Sequence, residues 1–192
     1  MQDANGQPLS LGSGFFVGDG VVATNLHVVR GASAGQAKLV GQNKTYAFNN
    51  LVAVDADADL VLLKASGVEA PSLRLDDSND LAVGDAIYAI GNPEGFEGTF
   101  SQGIVSGIRS LGTDRLLQIT APISPGSSGG PIINNRGAVV GVAVATFSEG
   151  QNLNFGSIVI SDCTPETRGG NANAFKREGS ARGYQTFRKR NG

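Results

Sequence analysis

The sequence predicts an all-β chain arranged as two small antiparallel barrels of about six strands each. Three observations predict it. The apolar runs are short, they are separated by breaks rich in the chain's 28 glycines, and only residues 26–31 hold enough helical periodicity for a single turn. The 192 residues, 40% of them hydrophobic, suffice for one ordinary domain or for two subdomains that share an interface.

Each element follows from this punctuation. Residues 14–17, 20–24 and 37–40 read as strands, with 46–48 a weaker one, then 51–54 and 60–64. The acidic turn Asp55-Ala56-Asp57-Ala58-Asp59 separates the last two. The polar stretch 70–80, with Pro71 and the three aspartates Asp76, Asp77 and Asp80, reads as a connector between the halves. Strands then resume at 86–90, 103–108, 116–120, 131–133, 138–146 and 153–160. Asn134-Asn135-Arg136-Gly137 is a hairpin signal between two of them. Residues 161–192 break the pattern, with seven basic residues against three acidic ones and few apolar positions. They are read as a solvated, disordered tail.

Composition narrows the function. The net charge of −2 gives no general pull toward nucleic acid. No apolar run of 18 residues suggests a membrane span, and no signal peptide is visible at Met1-Gln2-Asp3-Ala4. Cys163 is the only cysteine, so neither an intrachain disulfide nor a multi-cysteine metal site can form. His27 is the only histidine, so a two-histidine metal site is excluded. No cofactor is implied.

The chemistry gathers at Pro125-Gly126-Ser127-Ser128-Gly129-Gly130-Pro131. Glycines allow positive φ and close approach, prolines stiffen the ends, and backbone N–H groups are left free beside a hydroxyl. Such a loop suits either a plain surface turn or the nucleophile and donors of acyl transfer. A serine needs a base within hydrogen-bond reach, and His27 directly follows a strand. A carboxylate should then orient the imidazole. Asp59, at the entrance of the run Leu60-Val61-Leu62-Leu63, fits better than Asp55 or Asp57, which read as solvated turn residues. The pattern Gly126-x-Ser128-x-Gly130 also matches the nucleophile elbow of α/β-hydrolases. That plan places its histidine after the serine, and none follows here. Cys163, in the tail without a glycine-rich loop around it, makes a poor alternative nucleophile.

At these residues the chain resembles the chymotrypsin-like (trypsin-fold) serine proteases, and most closely the bacterial HtrA/Deg branch. The shared words are Gly12-Ser13-Gly14-Phe15-Phe16, Ala23-Thr24-Asn25-Leu26-His27-Val28-Val29, Asp59-Leu60-Val61-Leu62-Leu63-Lys64, Gly91-Asn92-Pro93 and Gly126-Ser127-Ser128-Gly129-Gly130-Pro131, in the family's order. The resemblance implies a protease domain over residues 9–161, with barrels at about 9–70 and 81–161 and the active site between them. It implies Ser128 as nucleophile, His27 as general base and then acid, Asp59 as orienting carboxylate, and the N–H groups of Gly126 and Ser128 as oxyanion donors. Extended or unfolded polypeptide would be the substrate, paired to an edge strand at 142–146 with Val144, Ala145 and Thr146 in contact. Pro122, Ile123 and Ser124 would line the primary pocket. None of them is acidic, which implies a small or medium aliphatic preference. Family habit further implies an extracytoplasmic location, and a trimer as one assembly option.

Three departures follow. Ser127 stands where many relatives carry an aspartate that pairs with a newly cleaved N-terminus, so activation by N-terminal cleavage is not expected. No PDZ domain is expected after the last strand. The segment before Gly12, which helps many relatives trimerise, is short. A catalytically silent peptide-binding module on the same fold, or a hydrolase of small esters, would use the same residues.

Overall fold

The computed structural model describes residues 1–68, 70–92, 98–111, 114–144 and 154–158. The expected basic tail, with Cys163, lies outside them. Two antiparallel β units follow one another, joined by a connector.

The first unit comprises β1 (Phe15–Gly18), β2 (Val21–Asn25), β3 (Gln36–Lys38), β4 (Thr45–Asp55) and β5 (Leu60–Ala65), in the sheet order β1-β2-β5-β4-β3. A single helical turn, α1 (Leu26–Val29), follows β2. Five strands form here where six were expected, and among the described residues the sheet is open. The two short runs at 46–48 and 51–54 are one strand, β4. Its pairing with β5 continues through irregularities between Phe48 and Asn50 and between Leu51 and Ala53. Bulges absorb the polar Asn49-Asn50 break without ending the ladder. Ahead of β1 the chain folds back on this unit, with Gln2 bridged to Ala34 and to Pro8.

The second unit comprises β6 (Ala86–Gly91), β7 (Thr99–Leu111), β8 (Asp114–Ile119), β9 (Pro131–Asn134), β10 (Val139–Val144) and β11 (Asn154–Ile158). It closes as a barrel in the order β10-β11-β8-β7-β6-β9. Alternation explains the closure. Ile87 and Ala89 of β6 face inward with Val105, Leu117, Ile119, Ile132 and Val140, and all are buried. Closure also removes exposed ladder edges.

The halves share a second apolar cluster. Val139 and Val142 of β10 pack with Phe15, Val21, Ala23, Leu60 and Leu62 of the first sheet. The connector stitches this seam. Leu73 N–H donates to the Phe16 carbonyl (2.8 Å), Val139 N–H to the Arg74 carbonyl (2.8 Å) and Asp76 N–H to the Val139 carbonyl (2.8 Å), so Leu75 pairs in parallel with Val139. A stretch that reads as a polar linker therefore docks as backbone on both units.

Asp76 locks the seam from outside. Its Oδ2 accepts from Asn134 Nδ2 (2.9 Å) and from Arg136 Nη2 (2.6 Å). The Asn134 hydrogen bond, helped by the Arg136 charge and opposed by partial desolvation, holds the Asp76 carboxyl below the ordinary carboxylate range. A depressed folded value adds stability above the unfolded value of about 3.9 and loses it as pH falls through the folded value. Asp76→Asn should therefore melt below the parent at pH 5–7, with the gap closing toward pH 2–3. A gap in thermal midpoint that stays constant over that range would refute this.

Candidate active site

The histidine stands on α1 because β2 ends at Asn25, which lies fully buried. Asn25 does not cap α1 with its side chain. Its Nδ2 instead donates to the Asp59 carbonyl (3.0 Å), which also accepts from Leu26 N–H (2.9 Å). Asp59, directly before β5, has φ +53°. Aspartate is among the few non-glycine residues that enter this left-handed region readily. That backbone turn aims the carboxylate at the imidazole. Oδ1 accepts from His27 N–H (2.9 Å) and Oδ2 lies 2.5 Å from His27 Nδ1. One aspartate thus fixes both the main chain and the ring of His27. Asp55 instead folds its Oδ1 onto the N–H groups of Asp57 (3.1 Å) and Ala58 (2.9 Å), closing the turn.

The serine loop is two consecutive turns. Ser127 N–H donates to the Ser124 carbonyl (2.9 Å) and Gly130 N–H to the Ser127 carbonyl (2.9 Å). The third residue of each turn is a glycine with positive φ, Gly126 at +96° and Gly129 at +88°. With Pro125 in the second position of the first turn, this is type II geometry. Gly129 N–H goes to the Ala143 carbonyl (2.9 Å). The N–H groups of Gly126 and Ser128 remain, and neither has an acceptor among the described residues. Gly126 is half-buried and Ser128 buried, and both line the cleft described below, so these two N–H groups stand beside the Ser128 hydroxyl without an acceptor among the described residues.

Gly129 tolerates no other residue. A Cβ there would intrude on the Ser13 carbonyl and Thr24 Oγ1, at a backbone angle that side chains avoid. Gly129→Ala should cost about 3 kcal/mol from the clash and the left-handed strain together. Urea unfolding checks this, and a cost under about 1 kcal/mol would contradict it.

His27, Val28, Pro125, Gly126 and Ser128 line one cleft of about 250 Å³, together with Ser10 and Leu11. The structure so brings His27 against Asp59 and places Ser128 in the same cleft as His27. The residues expected to form a primary pocket lie outside that lining. Ile123 packs into the core of the second barrel, while Pro122 and Ser124 are exposed. The edge-strand expectation for 142–146 is corrected at its start. Val142 pairs with both Ser157 and Pro131, and Ala143 faces Gly156 in the ladder on one side while its N–H and carbonyl bond Gly130 and Gly129 on the other. Barrel closure takes up both edges there. Val144 pairs with Phe155, and Ala145 and Thr146 lie outside the described residues.

The sequence reading assigned no part to Ser13, Thr24 or Asn25. Their bonds join segments far apart in the chain, and only their presence inside the shared motifs could have signalled them. Together, a hydroxyl, an oriented imidazole and two free N–H donors can carry out acyl transfer.

Known proteins resemble this chain in sequence and in fold. Residues 12–142 match the trypsin-like peptidase domain. A probable periplasmic serine endoprotease, DegP-like, of Pseudomonas fluorescens is 41% identical over 145 residues, covering 73% of this chain and 30% of that protein. A protein of the same description from Marinomonas sp. is 42% identical over 142 residues, covering 71% and 30%. Among solved structures, the HtrA-type protease AlgW with a decapeptide has a TM-score of 0.71 at 30% identity, over 77% of this chain and 48% of that one. The chain thus spans about 30% of the length of these curated relatives. Because the match takes in the histidine turn, the connector and the serine loop alike, the chain belongs to the trypsin-like peptidase family, on its HtrA/Deg branch.

Proposed function

We propose that this chain carries the catalytic unit of a serine endopeptidase that cleaves extended or unfolded polypeptide outside the cytoplasm. The backbone accounting of the serine loop carries the reading, since it leaves the N–H groups of Gly126 and Ser128 free beside the Ser128 hydroxyl, in the cleft that holds His27. The names of the relatives, periplasmic serine endoproteases, support the compartment and the reaction class.

In this reading the Ser128 Oγ attacks the scissile carbonyl carbon while its proton passes to His27 Nε2. The carbonyl oxygen becomes an oxyanion and accepts from the two free N–H groups. Asp59 holds Nδ1 protonated and stabilises the imidazolium. As the C–N bond breaks, His27 returns the proton to the leaving amine. Water then attacks the acyl-serine with His27 again as base, releasing the acid and restoring Ser128. Glycines are needed in the loop because Gly126 and Gly129 turn at positive φ and a Cβ at Gly129 or Gly130 would strike the Ser13 or the Ile90 carbonyl.

A fluorophosphonate probe tests this. We expect labelling of the parent chain and none of Ser128→Ala, with casein cut by the parent alone. Absence of labelling would favour the silent binding module. Labelling with turnover of small esters but not casein would favour the esterase.

A further inference from the structure

We propose that Ser13 is the positioning residue that keeps the two oxyanion donors aimed into the cleft. The inference rests on the reading of Gly126 and Ser128 given above. The N–H, the carbonyl and the hydroxyl of Ser13 are all used, the hydroxyl as both donor and acceptor, in four hydrogen bonds. Its hydroxyl donates to the Gly126 carbonyl (2.7 Å) and accepts from Asn92 N–H (3.0 Å) at the end of β6. Its N–H donates to the Ser128 carbonyl (2.8 Å). Its carbonyl accepts from Thr24 Oγ1 (2.7 Å), in the strand that leads into the His27 turn.

These contacts hold alternate peptide planes of the serine loop. The hydroxyl fixes the 126–127 plane and the main chain fixes the 128–129 plane. The 127–128 plane, which carries one free donor, is then held on both sides. The 125–126 plane, which carries the other, can turn only about Pro125 ψ and Gly126 φ. Glycine is the residue least able to hold such an orientation alone, because its φ and ψ are nearly unrestricted. Ser127 brings no charge that could anchor the loop to a distant partner. Its Cα packs so close to Gly91 that a Cβ there would sit 2.8 Å away. A half-buried hydroxyl that donates and accepts at once supplies the missing restraint.

The test compares Ser13→Ala with Ser13→Thr, which keeps the hydroxyl, in the full chain. On a fluorogenic peptide, Ser13→Ala should lose about 30-fold in kcat with KM within threefold. That is less than the 10²- to 10³-fold lost when an oxyanion donor itself is removed. Ser13→Thr should recover most of the loss. Amide hydrogen exchange supplies a readout independent of turnover. In Ser13→Ala, exchange at Ser127 and Asn92 should rise at least tenfold while the barrel amide of Ile119 stays unchanged. An unchanged Ser127 rate, a kcat within twofold of the parent, or a loss confined to KM would overturn the proposal. If the parent itself shows no turnover that depends on Ser128, the functional reading fails, and the exchange rates alone decide the role of Ser13.

Discussion

Ser128→Ala is expected to reduce kcat by about 10⁶-fold while leaving KM and the thermal midpoint nearly unchanged. The size of the loss reflects a unit that fails together. Without the hydroxyl, the imidazole has no proton to accept and the free N–H groups have no covalent intermediate to stabilise. The remaining rate would come from the donors and binding alone, of the order of 10³- to 10⁴-fold over water. Stability should hold because the loop is secured by backbone bonds, Ser127 to Ser124, Gly130 to Ser127 and Gly129 to Ala143. None of these uses the Ser128 side chain. Steady-state hydrolysis with active-site titration measures the effect. Retention of more than about 1% of kcat would move the nucleophile elsewhere, with Ser127 the next hydroxyl in the loop.

Asp59→Asn is expected to cost about 10⁴-fold in kcat with little change in folding. Asparagine matches aspartate in shape and also enters the left-handed region, so φ +53° remains accessible. Its carbonyl oxygen can still accept from His27 N–H, as Oδ1 does now. The change falls at the other position. An NH₂ group facing Nδ1 demands an acceptor there, which moves the ring proton to Nε2 and removes the lone pair that must take the serine proton. Asp59→Ala would confuse matters, because it also removes the bond to the His27 main chain and leaves a strained backbone. Urea midpoints measured beside kcat separate the two effects. A loss of activity that merely tracks lost stability would demote Asp59 to a structural turn residue.

Much of the barrel could be read from the chain. The second unit's six strands follow from alternation that puts Ile87, Ala89, Leu117 and Ile119 on one face, and the turn between β9 and β10 falls at Asn134-Asn135-Arg136-Gly137. The first unit was less legible. The Asn49-Asn50 pair looks like a strand break, yet hydrogen bonds to β5 carry β4 across it. The expected edge at Val142 and Ala143 failed for a similar reason. A sequence shows that a segment is extended but not how many neighbours flank it, and closure of the barrel supplies two. The connector was legible as polar. Its role as a strand-like seam was not, because backbone bonds to Phe16 and Val139 leave no mark on side-chain pattern.

Residue type alone determined which chemistry this protein could attempt. One histidine, a serine among glycines and an aspartate at a strand entrance leave few assignments, since each role needs a particular functional group. The tertiary structure decided which donors are free and what holds them. In the serine loop Ser127 N–H goes to the Ser124 carbonyl and Gly129 N–H to the Ala143 carbonyl, while Ser13 takes the Gly126 and Ser128 carbonyls, which leaves the N–H groups of Gly126 and Ser128 without an acceptor among the described residues. Ser13 meets Gly126 across 113 positions of sequence. No local pattern encodes such a bond, because it exists only once the two sheets are packed against each other.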